Sequence, residues 1–363
     1  MKTFAYASCL ASVLGLATMP CLAQSLASVD APPPASPPKV TAAPATAAAD
    51  MQMVLDKFMA LGAKPIETLT PLKARLQPSV ADAAKAVMRE KGMSTAPDST
   101  VTTKDVPYGD DPMQFARIYR PANAGTATLP VIVYYHGGGW VIADVNTYDA
   151  TPRFLSKQLN AIVVSVEYRH APEFKFPAQH DDAAMAYRWV LQNAASWGGD
   201  AGRIVLAGES AGGNLAVATA IRARDEGLAL PVHILSVYPI ANSSMTLPSR
   251  TDSANAKPLN AAMLKWFGHY YSASQADQQD PRINLVAALL KGLPPVTVIN
   301  AQIDPLRSDG ETLASAFKAA GVTVDQRTFP GVTHEFFGMG QIVRGAWEAE
   351  TYAVKKLKSA LAD

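Results

Sequence analysis

From about residue 101 to residue 329, apolar β-rich runs alternate with helix-patterned segments, and this alternation restricts the chain to a layered α/β fold. Val131–Tyr135, Ile162–Val166, Ile204–Ala207, Ile234–Tyr238, Val296–Asn300 and Val322–Phe329 are the clearest strands. Several are apolar nearly throughout rather than at alternate positions. Strands of that kind are buried on both faces, as in a mostly parallel central sheet with helices on both sides. Thr147–Asn160, Ala178–Ala195, Asn214–Glu226 and Leu313–Ala320 read as helices between them. The segment Ala241–Arg282 breaks the alternation with turn residues and an aromatic helix (Trp266, Phe267, Tyr270, Tyr271). It reads as an insertion at the carboxyl end of a strand, where open α/β sheets place their ligands.

The 363 residues are 48% hydrophobic and 17% charged, enough for one large core with a cap. With 32 basic and 31 acidic residues, nothing electrostatic points to nucleic acid or to an anionic membrane surface. Lys2, the apolar stretch Phe4–Met19, Pro20 and the small-residue site before Gln24 read as a signal peptide over residues 1–23, with an uncleaved anchor as the alternative. No later apolar run is long enough to span a bilayer, so no stable membrane insertion of the mature chain is expected. The protein is therefore expected to be exported, periplasmic or secreted. Cys9 and Cys21, the two cysteines, both lie in the leader. The mature chain is expected to carry no disulfide, thiol nucleophile or thiolate metal site.

Residues 24–50, rich in Ala and Pro, read as a tether. Residues 51–98 read as N-terminal cap helices. Met51, Val54, Leu55, Phe58 and Met59 share one helical face there, and Leu72–Met88 forms a second helix. Packing is the favoured role for the Met-rich face, over a lid. The α/β core is expected over residues 99–240 and 284–363, with the cap insertion over 241–283.

Gly208-Glu209-Ser210-Ala211-Gly212-Gly213 follows the strand Ile204–Ala207 and precedes a helix-forming run. A serine on such a strained strand-to-helix turn is presented as a nucleophile, and small flanking residues let the turn press against neighbouring backbone. Upstream, Val131–Tyr135 runs into His136-Gly137-Gly138-Gly139-Trp140. Its glycines let backbone N–H groups face a developing oxyanion, completed by the N–H of Ala211. A phosphate loop is disfavoured because neither GxGxxG nor a Walker lysine accompanies it. His136 reads as structural.

A nucleophilic serine needs an acid and then a base further along the chain. After Ser210 the histidines are His233, His269 and His334. His233 lies in a strand and His269 in the aromatic helix, whereas His334 follows the last strand on a turn. Asp304, where Pro305 ends a strand, is the expected acid. Asp309 and Glu335 are fallbacks for which a surface role is expected. His180-Asp181-Asp182 reads as an acidic helix start rather than a metal site.

These motifs, with Glu167-Tyr168-Arg169, Ala171-Pro172-Glu173, Phe176-Pro177-Ala178 and Asp304-Pro305-Leu306-Arg307, resemble the bacterial hormone-sensitive-lipase-like (type IV) esterases of the α/β-hydrolase fold. The resemblance covers the chain from about residue 50 to the end. It implies a mostly parallel sheet with a helical cap. It also implies hydrolysis of short- to medium-chain esters, a small-molecule partner class, by Ser210, His334 and Asp304, with no cofactor and no metal. Gly138, Gly139 and Ala211 would donate to the oxyanion, and Trp140, Trp266 and Phe267 would contact substrate. A peptidase or acyltransferase would share the triad, and a silent receptor would have lost part of it. The chain departs from the family at Glu209 (more often Asp), His170 (usually Leu), Ser308 (usually acidic) and Glu335 (usually Gly). Glu335 beside His334 is expected to raise the imidazole pKa.

Overall fold

The computed structural model describes residues 45–362. The segment read as a signal peptide, and the expected tether up to residue 44, lie outside the described residues. Strands β1 (Val101–Pro107), β2 (Phe115–Pro121), β3 (Leu129–Tyr135), β4 (Ile162–Val166), β5 (Gly199–Glu209), β6 (His233–Val237), β7 (Val296–Ile303) and β8 (Val324–Thr333) form one sheet. Their order is β1-β2-β4-β3-β5-β6-β7-β8. β2 runs antiparallel to β1 and β4, and every pairing from β4 to β8 is parallel. β1 and β2 escape a search for apolar runs because they form the antiparallel edge. In β1, Val101 is buried and the next four residues are exposed.

The helices are α1 (Ala49–Ala60), α2 (Pro71–Arg75), α3 (Val80–Glu90), α4 (Ala150–Leu159), α5 (Ala178–Asn193), α6 (Ala211–Asp225), α7 (Pro248–Asp252), α8 (Ala261–Tyr271), α9 (Arg307–Ala319) and α10 (Arg344–Leu361). Side chains alternate across a strand, so each fully buried strand feeds two cores. Val131, Val133 and Tyr135 join the apolar cluster formed with α5, α6 and α9. Ile132 and Tyr134 join the opposite cluster, with α1, α4 and α10.

The helix expected over Leu72–Met88 is two helices. Pro78 cannot continue a hydrogen-bonded helix. Ser79 then starts α3 through a capping box, its N–H donating to Asp82 at 2.9 Å while its hydroxyl accepts from the Asp82 N–H. The tether is also shorter than its reading, since Ala49 and Asp50 already belong to α1. That helix is tied to the core: the Ala48 N–H donates to the Gly331 carbonyl at 2.8 Å and the Arg344 N–H to Asp50 at 2.7 Å. Met51, Val54 and Leu55 are buried there.

The segment after β6 is joined to the core through a buried ion pair. Asp309, expected at the surface, is fully buried at the start of α9. It accepts from Arg250 at 2.9 Å and from the Ala241 and Asn242 N–H groups, each at 3.1 Å. The sequence pattern shows α9 but not which face of its first turn the insertion covers. Burial already holds the Asp309 carboxyl near 7 against the lowering by Arg250, so Arg250→Ala leaves it protonated with one partner fewer and is expected to cost about 1–3 kcal/mol in urea unfolding. A stability unchanged within error would show that this joint carries no load.

Candidate active site

Ser210 sits between β5 and α6 at φ 57°, ψ −117°, a strained conformation held in part by its N–H donating to Val237 of β6 at 2.9 Å. A Cβ on Gly212 would collide with the carbonyl oxygens of Tyr135 and His136. Only glycine lets the first turn of α6 lie against the exit of β3. The residues following β3, β5, β7 and β8 therefore meet at one end of the sheet.

There His334 Nε2 stands 3.0 Å from Ser210 Oγ, and His334 Nδ1 stands 2.7 Å from Asp304 Oδ2. All three residues are buried. The other Asp304 oxygen accepts from the Leu306 N–H at 2.8 Å. A carboxylate oxygen only accepts, so Nδ1 carries the proton and Nε2 offers its lone pair to the serine hydroxyl. Gly138 and Gly139 line the same cavity as Ser210. Gly138 has φ 96°, and a Cβ there would meet the Ile142 carbonyl. Among the described residues, the N–H groups of Gly138, Gly139 and Ala211 enter none of the turn and loop hydrogen bonds. The arrangement provides a nucleophile, an oriented base and free backbone donors in one place.

Burial lowers the His334 pKa, but the charge and hydrogen bond of Asp304 more than offset it, with Glu335 adding, so the imidazole lies above its ordinary value. Glu335 is not a surface residue. It lines the cavity at φ 67°, accepts from Tyr148 Oη at 2.7 Å and lies 3.9 Å from His334 Nε2. Glu209 is buried beside the nucleophile, and burial pushes its carboxyl up to about 7 against the hydroxyls of Tyr134 and Tyr238. The Tyr238 ring also packs on His334, with centroids 4.5 Å apart. Sequence reasoning missed these tyrosines. The available signal was a glutamate next to a buried nucleophile, which needs donors.

Of the three expected substrate residues, only Phe267 lines the cavity. Trp140 stacks on Tyr271 at 4.1 Å and 3% exposure, buried as core beneath the cap. Trp266 donates its indole N–H to the Leu69 carbonyl at 2.9 Å, pinning α8 to the N-terminal segment. The cavity, of about 230 Å³, takes its apolar wall from Phe58, Met59, Ile240, Met263, Leu264 and Phe267.

The other histidines stay outside this group. His233 Nε2 lies 2.9 Å from Thr297 Oγ1, and His180 contacts Asn214 and Tyr271. Asp181 and Asp182 pair with Arg222 and Arg169, so His180-Asp181-Asp182 gathers no ligand set.

A family profile described as the alpha/beta hydrolase fold matches residues 132–338. Carboxylesterase NlhH of Mycobacterium tuberculosis is 41% identical over 237 residues, 64% of this chain and 74% of that protein. An ethyl acetate hydrolase of Pseudomonas putida is 35% identical over 252 residues, 68% of this chain and 78% of its own. The crystal structure of a thermostable esterase from Pseudomonas putida superposes with a TM-score of 0.77 at 30% identity, covering 88% of this chain and 99% of the other. The esterase of Pyrobaculum calidifontis gives 0.73 at 35% identity, covering 83% and 97%. The chain belongs to the hormone-sensitive-lipase-like esterases of the α/β-hydrolase fold.

Within this family geometry, Gly212→Ala is expected to destabilise by at least ~1–3 kcal/mol, because backbone carbonyls cannot give way as a side chain does. Thermal unfolding measures the loss, and a fluorophosphonate probe reports whether Ser210 is still presented. Wild-type values for both would mean that α6 does not depend on this close approach.

Proposed function

We propose that this protein hydrolyses carboxylic esters of short to medium acyl chains through a Ser210 acyl-enzyme. The observation that carries the reading is the continuous relay from Ser210 Oγ to His334 at 3.0 Å and on to Asp304 at 2.7 Å. His334 Nε2 takes the serine proton as Oγ attacks the ester carbonyl, and Asp304 holds the Nδ1–H tautomer and stabilises the imidazolium. Gly138, Gly139 and Ala211 donate N–H groups to the tetrahedral oxyanion. The imidazolium protonates the departing alcohol, and water deacylates the serine by the reverse path.

Relatives named carboxylesterase, ethyl acetate hydrolase and arylesterase support ester substrates. The small, cap-walled cavity supports a limited acyl length. The leader at residues 1–23 supports action outside the cytoplasm, which a mature N-terminus at Gln24 would bear out and an intact Met1 in the exported fraction would refute.

p-Nitrophenyl acetate, butyrate, octanoate and palmitate test the chemistry and the pocket together. Turnover is expected to peak at the shorter acyl groups and to fall roughly 10⁴–10⁶-fold in kcat for Ser210→Ala. Undiminished turnover in a folded Ser210→Ala protein would refute the serine mechanism, and hydrolysis of amides alone would move the protein to a peptidase class.

His334 must be neutral to act, so activity appears as pH rises through its pKa. Glu335 helps to raise that pKa. Glu335→Gln removes the negative charge, stabilises the imidazolium less, and is expected to move the acid limb of the kcat/KM profile to lower pH. A limb that stays in place or moves up would exclude this electrostatic role for Glu335.

A further inference from the structure

Behind the glycine loop, His136 and Glu167 (directly after β4) are met by His170. They are 0%, 2% and 6% exposed. Their Nε2, Oε1 and Nε2 atoms are all buried without a hydrogen-bond partner. His136 Nε2 lies 3.6 Å from Glu167 Oε1, and His170 Nε2 lies 3.1 Å from the same oxygen without hydrogen-bond alignment. Suitable donor atoms of all three residues fall within 4.8 Å of one another, the only such group of three among the described residues.

The remaining contacts fix which atoms face one another. His136 Nδ1 is 2.8 Å from the Gly137 carbonyl, so Nδ1 is the donor and Nε2 holds a lone pair. The ring cannot easily turn away, because it stacks on Tyr168 at 4.3 Å and 9°. The second Glu167 oxygen accepts from the Val145 N–H at 3.0 Å, fixing the carboxylate as well. An imidazole lone pair thus faces a carboxylate oxygen in a dry interior, with a second imidazole against that oxygen. Unpaired polar atoms are costly there. A single proton on His136 would satisfy one of these contacts. A cation between the three would satisfy all of them.

We infer that His136, Glu167 and His170 form a binding site for a divalent transition-metal ion of the zinc class, distinct from the catalytic triad. Two imidazole nitrogens and one carboxylate oxygen are a donor set suited to Zn²⁺. Metal–ligand distances of about 2.0–2.1 Å in tetrahedral geometry require ligand atoms about 3.3 Å apart. The two spacings to Glu167 Oε1, 3.1 and 3.6 Å, bracket that value, and the two imidazoles lie within 4.8 Å of each other. The Nδ1–H contact to Gly137 is the outer hydrogen bond that metal-bound histidines usually make. His170 supplies the third donor. An ion there would clamp the exits of β3 and β4 immediately behind Gly137–Gly139.

The test uses the mature enzyme stripped with chelator and titrated first with Co²⁺, then with Zn²⁺. One equivalent of Co²⁺ is expected to give the visible absorption of a low-coordinate site, Zn²⁺ to displace it, and Zn²⁺ to raise the thermal midpoint. His170→Leu is expected to weaken binding roughly 100-fold or more. His334→Ala is expected to leave binding intact, which separates this site from the triad, and none of these readouts needs turnover. If His170→Leu fails to fold, His170→Gln replaces it, and the wild-type Co²⁺ spectrum stands by itself. A folded wild type with no Co²⁺ spectrum and no Zn²⁺ shift would overturn the assignment in favour of a proton shared by His136 and Glu167. Equal binding by His170→Leu, or loss of binding in His334→Ala, would overturn it as well.

Discussion

The structure depends on a sheet whose parallel strands all end at one edge. Because β3, β5, β6, β7 and β8 are neighbours in that order, residues 136–139, 210, 304 and 334 leave the sheet within a few ångströms of one another despite their separation in the chain. The Tyr135–Gly208 register sets the glycine loop beside the serine turn. Backbone hydrogen bonds between neighbouring strands hold these exits side by side. The approach of α6 to the end of β3 then sets the position of Ser210 to within a hydrogen bond's length of His334.

Around that edge the protein keeps several ionisable groups dry, and each is answered by a partner of a different kind. Asp304 has an imidazole and a backbone N–H, Glu209 has two tyrosine hydroxyls, and Asp309 has a guanidinium. Burial holds the Glu209 carboxyl near 7 although its two tyrosine donors lower it, so it need not add a full negative charge beside Ser210 near neutrality. Glu335 is different, because it faces the cavity and lies close to His334 Nε2, the atom 3.0 Å from Ser210 Oγ. The electrostatics of the base are therefore set from two sides, by Asp304 through Nδ1 and by Glu335 beside Nε2.

The central strands, and the serine, histidine and aspartate that the structure brings together, were legible because their signals are local: apolar runs, a strand–serine–helix turn, and histidines few enough to weigh one by one. What failed depends on tertiary neighbours. Asp309 looks like an exposed helix start until the insertion places Arg250 on it. Trp140 and Trp266 look like substrate walls until Tyr271 and the Leu69 carbonyl claim them. The edge strands β1 and β2 lack the apolar run that marks the centre. The break between α2 and α3 was readable, since Pro78 and the Ser79–Asp82 capping box spell it out.

Chemistry and substrate shape are carried by different parts of the chain. The strand exits supply every polar group of the relay, whereas most of the apolar cavity wall comes from the segment before β1 and the segment between β6 and β7, including Phe58 and Met59 of α1 and Met263, Leu264 and Phe267 of α8. These cap pieces are far apart in sequence, yet Trp266 binds the carbonyl of Leu69 and Asn260 binds Glu67 at 3.1 Å. Joined in this way, they form one wall across the mouth of the site. Apolar packing on a helical face tolerates changes in side-chain volume far better than a hydrogen-bonded relay tolerates a shifted atom. The wall can therefore change the size of the cavity while the sheet edge keeps the geometry of the Ser210–His334–Asp304 relay.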